Sequence, residues 1–282
     1  MNRHIHTYLG CEREYGDARI VVFGAPFDGT ASFRPGARFA GAAMRGDSYG
    51  LETYSPYQDR DLSEITVFDG GDLELSIGNT ERVLDQIESY TAGALADHKI
   101  PCMIGGEHLV SLGAVRAIAK RYPDLHVLHF DAHADLRDTY LGERLSHATV
   151  MRRVWELVGD GRLHQYGVRS GTREEFAWAG EHVHMRRYDF TGLADTITLL
   201  KGKPVYVSVD LDVLDPSVFP GTGTPEPGGV SFSQLLDAVL ALKGLDIVGA
   251  DLTELSPAYD PSGVSTVTAC KVLRELLLVI GG

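Results

Sequence analysis

Three cysteines in 282 residues (Cys11, Cys102 and Cys270) are too few and too far apart to form a disulfide scaffold. They make no CxxC pair and no zinc-ribbon spacing, so free thiols in a reducing compartment are expected. No apolar run approaches the ~18–20 residues that a membrane span needs. No apolar stretch follows Met1-Asn2-Arg3-His4-Ile5-His6, so no secretory leader is read and the cytoplasm is the expected location. Positive charge is short as well: 26 Lys and Arg stand against 39 Asp and Glu, a net charge of −13. A non-specific nucleic-acid binder needs a basic footprint, so neither nucleic acid nor membrane is expected as a partner. The deficit suits a small cationic ligand or bound metal ions. Repeats, low-complexity tracts and Pro/Ser-rich linkers are missing too, and residues 1–282 are read as a single domain.

What is present is an alternation of short apolar runs with helical patterns. Arg19–Gly24, Ile65–Phe68, Cys102–Ile104, Val127–Phe130, Gln165–Val168, Val205–Val209 and Ile247–Ala250 read as strands. The runs are continuously apolar, as in strands covered on both faces. Between them, Glu81–His98 and Leu109–Arg121 carry apolar residues at helical spacing. Near the end, Ala269, Leu273, Leu276, Leu277 and Ile280 fall on one face of a closing helix. The alternation predicts an α/β fold, a three-layer αβα arrangement around a mostly parallel central sheet. In such sheets ligands bind beyond the carboxyl ends of the strands.

Four of those ends carry polar groups of one type: Gly105-Gly106-Glu107-His108, Asp131-Ala132-His133-Ala134-Asp135, Asp210-Leu211-Asp212 and Asp251-Leu252-Thr253-Glu254. Residues two apart in extended chain share a face, which would aim Asp131, His133 and Asp135 one way, and Asp210 and Asp212 likewise. Carboxylates packed together cannot all stay ionised without a counter-charge, and two divalent cations would offset four of them. Oxygen and imidazole donors without thiolate favour Mn²⁺, Mg²⁺ or Co²⁺ over structural zinc. A water between two such ions would lose a proton near neutral pH and become a nucleophile. A lone DxD or strand-end histidine is commonly a turn residue; the three motifs together at strand ends carry the reading. His129 shares the parity of Asp131 but lies inside its strand and reads as a packed or supporting histidine. His4, His6, His182 and His184 have no supporting motif and read as surface residues.

These residues resemble the ureohydrolase family of arginases and agmatinases, its bacterial agmatinase branch in particular, nearly end to end. Gly24-Ala25-Pro26-Phe27-Asp28-Gly29-Thr30 with Arg34-Pro35-Gly36 looks like the family's N-terminal block. The GGEH, DAHAD, Ser146-His147-Ala148-Thr149, Asp210–Pro216 and Gly221–Gly229 blocks follow in family order. The resemblance implies an arginase-like fold and two Mn²⁺ per subunit, with Co²⁺ an alternative. One ion would be held by His108, Asp131, Asp135 and Asp210, the other by Asp131, His133, Asp210 and Asp212. It implies catalytic roles for Asp135, for His147 as proton shuttle, and for Glu254 as partner of the substrate guanidinium. Asp251 reads as supporting. The implied reaction is hydrolysis of the guanidino C–N bond of agmatine to urea and putrescine, by a homo-oligomer, trimer or hexamer.

Guanidinobutyrase, arginase and formimidoylglutamase are the rivals within the family. Arginases carry an Asn where this chain has Arg137, and the loop Asp138–Leu145 lacks their Ser/Thr-rich run. Arg137 is read as an exposed loop residue, and Glu143 in the same loop as favouring a cationic tail. A single-zinc deacetylase relative and a catalytically silent metal-binding regulator are the readings from other classes. The full set of six ligands argues against the first. A regulator would not need both His147 and Glu254.

Overall fold

In the computed structural model, which describes residues 6–282, the apolar runs form strands buried on both faces. His4 lies outside the described residues. In chain order the strands are β1 (Ile20–Gly24), β2 (Tyr54–Ser55), β3 (Arg60–Asp61), β4 (Val67–Asp72), β5 (Ile100–Ile104), β6 (His126–Phe130), β7 (Leu163–Val168), β8 (His184–Arg187), β9 (Pro204–Asp210) and β10 (Asp246–Thr253). The helices are α1 (Ala40–Asp47), α2 (Thr80–Ala96), α3 (Val110–Arg121), α4 (Val150–Val158), α5 (Arg173–His182), α6 (Leu193–Leu200), α7 (Phe232–Ala241) and α8 (Val264–Ile280). Eight strands pair in parallel in the order β4-β1-β5-β10-β9-β6-β7-β8, while β2 and β3 make a separate antiparallel hairpin.

Helices cover both faces, giving the three layers expected of the sequence. α1, α6, α7 and α8 pack on one side, and α2, α3, α4 and α5 on the other. β9 shows how one strand serves both layers: Val205, Val207 and Val209 join the core beneath α8, while Tyr206 faces the opposite core. All five apolar residues read as the face of the closing helix are buried in α8, and the four of Leu or Ile size, Leu273, Leu276, Leu277 and Ile280, contribute about 1.5–3 kcal/mol each. The three cysteines are buried and unbridged. No described helix is long and apolar enough to cross a membrane.

The sequence reading needs three adjustments. Ile65 follows a 3-10 turn (Leu62–Glu64) closed by the Asp61 capping box, so the strand starts at Val67 instead. β10 runs on to Thr253, which puts Asp251 within the strand rather than at its tip. β8 carries no apolar run because it is an exposed edge strand, His184-Met185-Arg186-Arg187.

Candidate metal centre

The four middle strands β5, β10, β9 and β6 are neighbours and run the same way, so their carboxyl ends meet. After β5 the chain turns at Gly105-Gly106. Gly105 N donates to Leu252 O at 2.7 Å, and Gly106 O accepts from Glu254 N at 2.9 Å. A Cβ on Gly106 would lie 1.9 Å from Phe27 O, so only glycine allows this close approach to the loop after β1.

That turn delivers His108 to the bottom of the site. Its Nε2 lies 3.0 Å from Ser208 Oγ, which itself donates to Asp251 Oδ1 at 2.7 Å. Tyr206 OH donates to the other Asp251 oxygen. Ser208 spends its proton on Asp251, so the ring proton of His108 sits on Nε2 and the Nδ1 lone pair faces inward. Nδ1 lies 3.1 Å from Asp131 Oδ2 and 3.2 Å from one oxygen each of Asp135 and Asp210. This buried nitrogen makes no hydrogen bond. A lone pair facing three carboxylate oxygens repels them unless a cation lies between, so the donor set fits a divalent metal.

The other candidate ligands complete the cluster. His133 Nδ1 lies 3.0 Å from Asp212 Oδ2 and 3.5 Å from Asp131 Oδ1. Asp210 accepts from Asp212 N at 2.9 Å. Two groups of three donors, His108–His129–Asp131 and Asp131–His133–Asp212, each have their ligand atoms within 4.8 Å and share Asp131. His129 is committed elsewhere: its Nδ1 accepts from Gln165 Nε2 at 3.0 Å, so its Nε2–H donates to Asp131 at 2.8 Å. It supports a candidate ligand, as read from its position inside the strand. The convergence of the ligands was expected from extended-chain parity, and here the reason differs. Asp210 caps the 3-10 turn Leu211–Val213 that carries Asp212, and Asp135 sits in left-handed backbone at φ 53°. Turns, not pleats, bring these groups together.

Protonation in the cluster is uneven, as close carboxylates require. Burial, then the charges of Asp212 and Asp131, pushes Asp210 well above the usual carboxylate range. Burial and the charge of Asp131 push Asp135 up to about 7. Burial would raise Asp131 too, but the histidines around it, His129 first, hold it well below its ordinary value. Glu254 is raised by burial, then by Glu107 and Asp212.

A cavity of about 220 Å³ opens above the cluster, lined among others by His133, Asp135, Arg137, His147, Glu175 and Glu254. Glu254, at φ 65° directly after β10, accepts His108 N on Oε1 at 2.8 Å. His147 begins a 3-10 turn capped by Ser146, and burial lowers its pKa below the ordinary histidine value. It also lines the cavity.

Arg137 is not turned away from the site. It lines the cavity with Nε 3.5 Å from Glu175 Oε2, and its guanidinium carbon lies 4.7 Å from the Tyr140 ring centre. Glu143, by contrast, is exposed and absent from the cavity wall. Glu175 was missed in the sequence, where Thr172-Arg173-Glu174-Glu175 carries only a capping-box signal. It does cap α5, taking Thr172 N at 2.8 Å, and also holds Leu136 N at 3.0 Å. Of the histidines read as surface residues, His6 and His184 are exposed. His182 is half-buried and 2.8 Å from Asp160.

A model of the arginase family matches residues 18–279. An agmatinase of Bacillus cereus is 48% identical over 277 residues, covering 96% of this chain and 95% of its own. The crystal structure of agmatine ureohydrolase of Thermoplasma volcanium superposes with a TM-score of 0.90 at 36% identity, covering 98% of this chain and 94% of that one. Proclavaminate amidinohydrolase of Streptomyces clavuligerus gives a TM-score of 0.89 at 33% identity, covering 99% and 97%.

Proposed function

The chain belongs to the arginase family, and from that premise we propose that it hydrolyses agmatine to urea and putrescine with two divalent cations in the cluster. The observation that carries the reading is the buried meeting of His108, Asp131, His133, Asp135, Asp210 and Asp212 below a small cavity whose wall holds Glu254 and His147. His108, Asp131, Asp135 and Asp210 would hold one ion, and Asp131, His133, Asp210 and Asp212 the other. When bound, the ions offset the four carboxylates and lower the pKa of a water so that it can attack.

The remaining work falls to side chains. The guanidinium carbon is a poor electrophile because its charge is delocalised, so the substrate must be held still. Glu254, with Oε1 engaged by His108 N, uses Oε2 to accept the guanidinium N–H groups. Asp135 takes the proton released by the attacking water and passes it to the departing amine nitrogen; as the C–N bond breaks, the second water proton leaves the new urea oxygen and ends on the amine, giving neutral urea and an ammonium. His147 exchanges protons with solvent at Nε2. In the same reading the ions are manganese, with cobalt a substitute, and the enzyme works in the cytoplasm as a trimer or hexamer.

Arg137 on the cavity wall supports a second reading, a guanidino acid with a terminal carboxylate as substrate. Urea release from agmatine, arginine and 4-guanidinobutyrate, with formamide release from formiminoglutamate, separates the two. Agmatine is expected to have the highest kcat/KM. A higher value for any of the others would overturn the agmatinase reading, and no urea from any guanidino compound would overturn the enzyme reading.

A further inference from the structure

His147 is presented by a short turn that belongs to neither β6 nor α4, so something must fix its ring. The Tyr140 ring lies edge-on at 5.7 Å, Ser146 Oγ and Glu107 Oε2 lie 3.5 and 3.8 Å from Nδ1, and the shortest contacts come from the loop between β1 and α1, whose residues 25–36 form no helix or strand. Thr30 in that loop meets His147 twice. Its hydroxyl accepts the backbone N–H of His147 at 3.0 Å, and its carbonyl lies 2.9 Å from His147 Nδ1. A carbonyl only accepts, so Nδ1 carries the proton and the Nε2 lone pair is left for the other side of the ring. There Ser32, exposed and on the cavity wall, lies 3.2 Å from Nε2.

Thr30 is itself held. Its N–H donates to Glu107 Oε1 at 2.6 Å, and its hydroxyl lies 2.6 Å from Oε2 and 2.7 Å from Oε1. Glu107 is buried, and its own N–H donates to Phe27 O at 2.8 Å. Farther along, Asp28 takes Gly36 N at 2.8 Å, which closes the loop on itself. The Thr30 hydroxyl therefore spends its one proton on Glu107 while accepting from His147.

We propose that Thr30 is a positioning residue for His147, its Glu107-anchored hydroxyl and its carbonyl together locking the imidazole in the Nδ1–H form with Nε2 facing the cavity. In that form His147 takes up and releases a proton at one atom, Nε2, without a ring flip or a change of tautomer. The inference rests on the proton-exchange role given to His147 above. The hydroxyl matters because it alone links the Glu107 carboxylate to the His147 backbone; the Thr30 N–H also reaches Glu107 but makes no contact with His147.

Thr30→Val keeps size and branching and removes the hydroxyl, whereas Thr30→Ser keeps it. Should Val prevent folding, Thr30→Ala makes the same comparison. In full-length protein loaded with diamagnetic Mg²⁺ and labelled with ¹⁵N-histidine, the His147 resonance is identified by its loss in His147→Gln. Wild type and Thr30→Ser should show the Nδ1–H pattern, and Thr30→Val a mixture of both tautomers. In the manganese-loaded enzyme Thr30→Val should lower kcat about tenfold with KM little changed, a fraction of the ~10²–10⁴ that a positioned acid–base group supplies. Thr30→Ser should restore it. In a His147→Ala background Thr30→Val should add less than about twofold, because its effect passes through the ring. An unchanged tautomer in Thr30→Val, or full multiplication of the two kinetic effects, overturns the proposal. If His147→Ala alone kept full turnover, the shuttle role would fall, and the tautomer measurement would still judge Thr30.

Discussion

Replacing Glu175 by Gln should shift the enzyme's preference from cationic tails toward anionic ones. In the wild-type cavity the Arg137 charge is answered by Glu175 at 3.5 Å, so a substrate carboxylate arriving there competes with an internal one. A side chain of Arg137 that is 37% exposed makes this a screened pair worth about 0–1 kcal/mol. Freeing the guanidinium allows a charge-assisted hydrogen bond to the terminal carboxylate of 4-guanidinobutyrate, worth about 1.5–3 kcal/mol. The same change removes an attraction for the agmatine ammonium. The ratio of kcat/KM for guanidinobutyrate over agmatine should therefore rise about ten- to a hundredfold. Gln disturbs the helix cap at Thr172, a cost of about 1 kcal/mol in stability. A ratio of two substrates on one protein cancels that cost, which is why the assay is urea release from both at sub-KM concentrations. A change of less than about twofold would refute the reasoning and take Arg137 and Glu175 out of tail recognition.

Asp131→Ala or Asp210→Ala should lose metal and activity together, because each is expected to serve both ions; two bound Mn²⁺ with full turnover in either variant would refute the ligand assignment. Chelation should inactivate reversibly and, for two ions each present at about a hundred times Kd, lower Tm on the order of 10 °C. Activity surviving exhaustive chelation would count against metal catalysis. Remote from the site, the buried His164 is held down to about 3 by burial, then by His184, His126 and Lys203. A histidine depressed in the folded state contributes stability that is complete above the unfolded pKa of ~6.5 and is lost as pH falls toward the folded value. Metal-free His164→Phe should therefore lose less stability than wild type between pH 6.5 and 4, by a few kcal/mol in denaturant melts. Parallel pH profiles would show that His164 is not the acid-sensitive group.

The parts of this molecule legible in its sequence are those set by repetition or by local chemistry. Buried strands such as Val205–Val209 announce themselves because both faces must be apolar, and the α8 face because Leu273, Leu276 and Leu277 recur at helical spacing. The polar clusters at strand ends were equally plain, since Asp131, His133 and Asp135 have no business together in an apolar layer. What stayed hidden depends on contacts far apart in the chain. Glu175 looks like a cap and is one, and only the packing of α5 against the loop after β6 gives it a cavity face. Arg137 could not be aimed without Glu175. Ser208 and Tyr206, alternate residues of one apolar run, show their purpose only when Asp251 is seen beside them. β8 was missed because an exposed edge with two arginines carries no pattern that distinguishes it from a loop.

The sheet order also governs when in the life of the chain the site can exist. Strands β4-β1-β5 form one contiguous set and β9-β6-β7-β8 another, and among the described strands β10 alone is bonded to both. His108 belongs to the first set, the five other candidate ligands to the second, and Glu254 to the strand between. A ribosome-bound chain that has not released Asp246–Thr253 has two half-sheets with no shared edge, and its candidate ligands are divided between them. Joining non-local segments is the slow part of folding parallel sheets. Completion of the centre thus waits on the insertion of β10, which brings His108 beside the ligands that β6 and β9 hold as neighbours and sets Glu254 above them. The set read for one ion, Asp131, His133, Asp210 and Asp212, lies wholly in the half built on β9 and β6, whereas the set that includes His108 can close only once β10 has joined the halves.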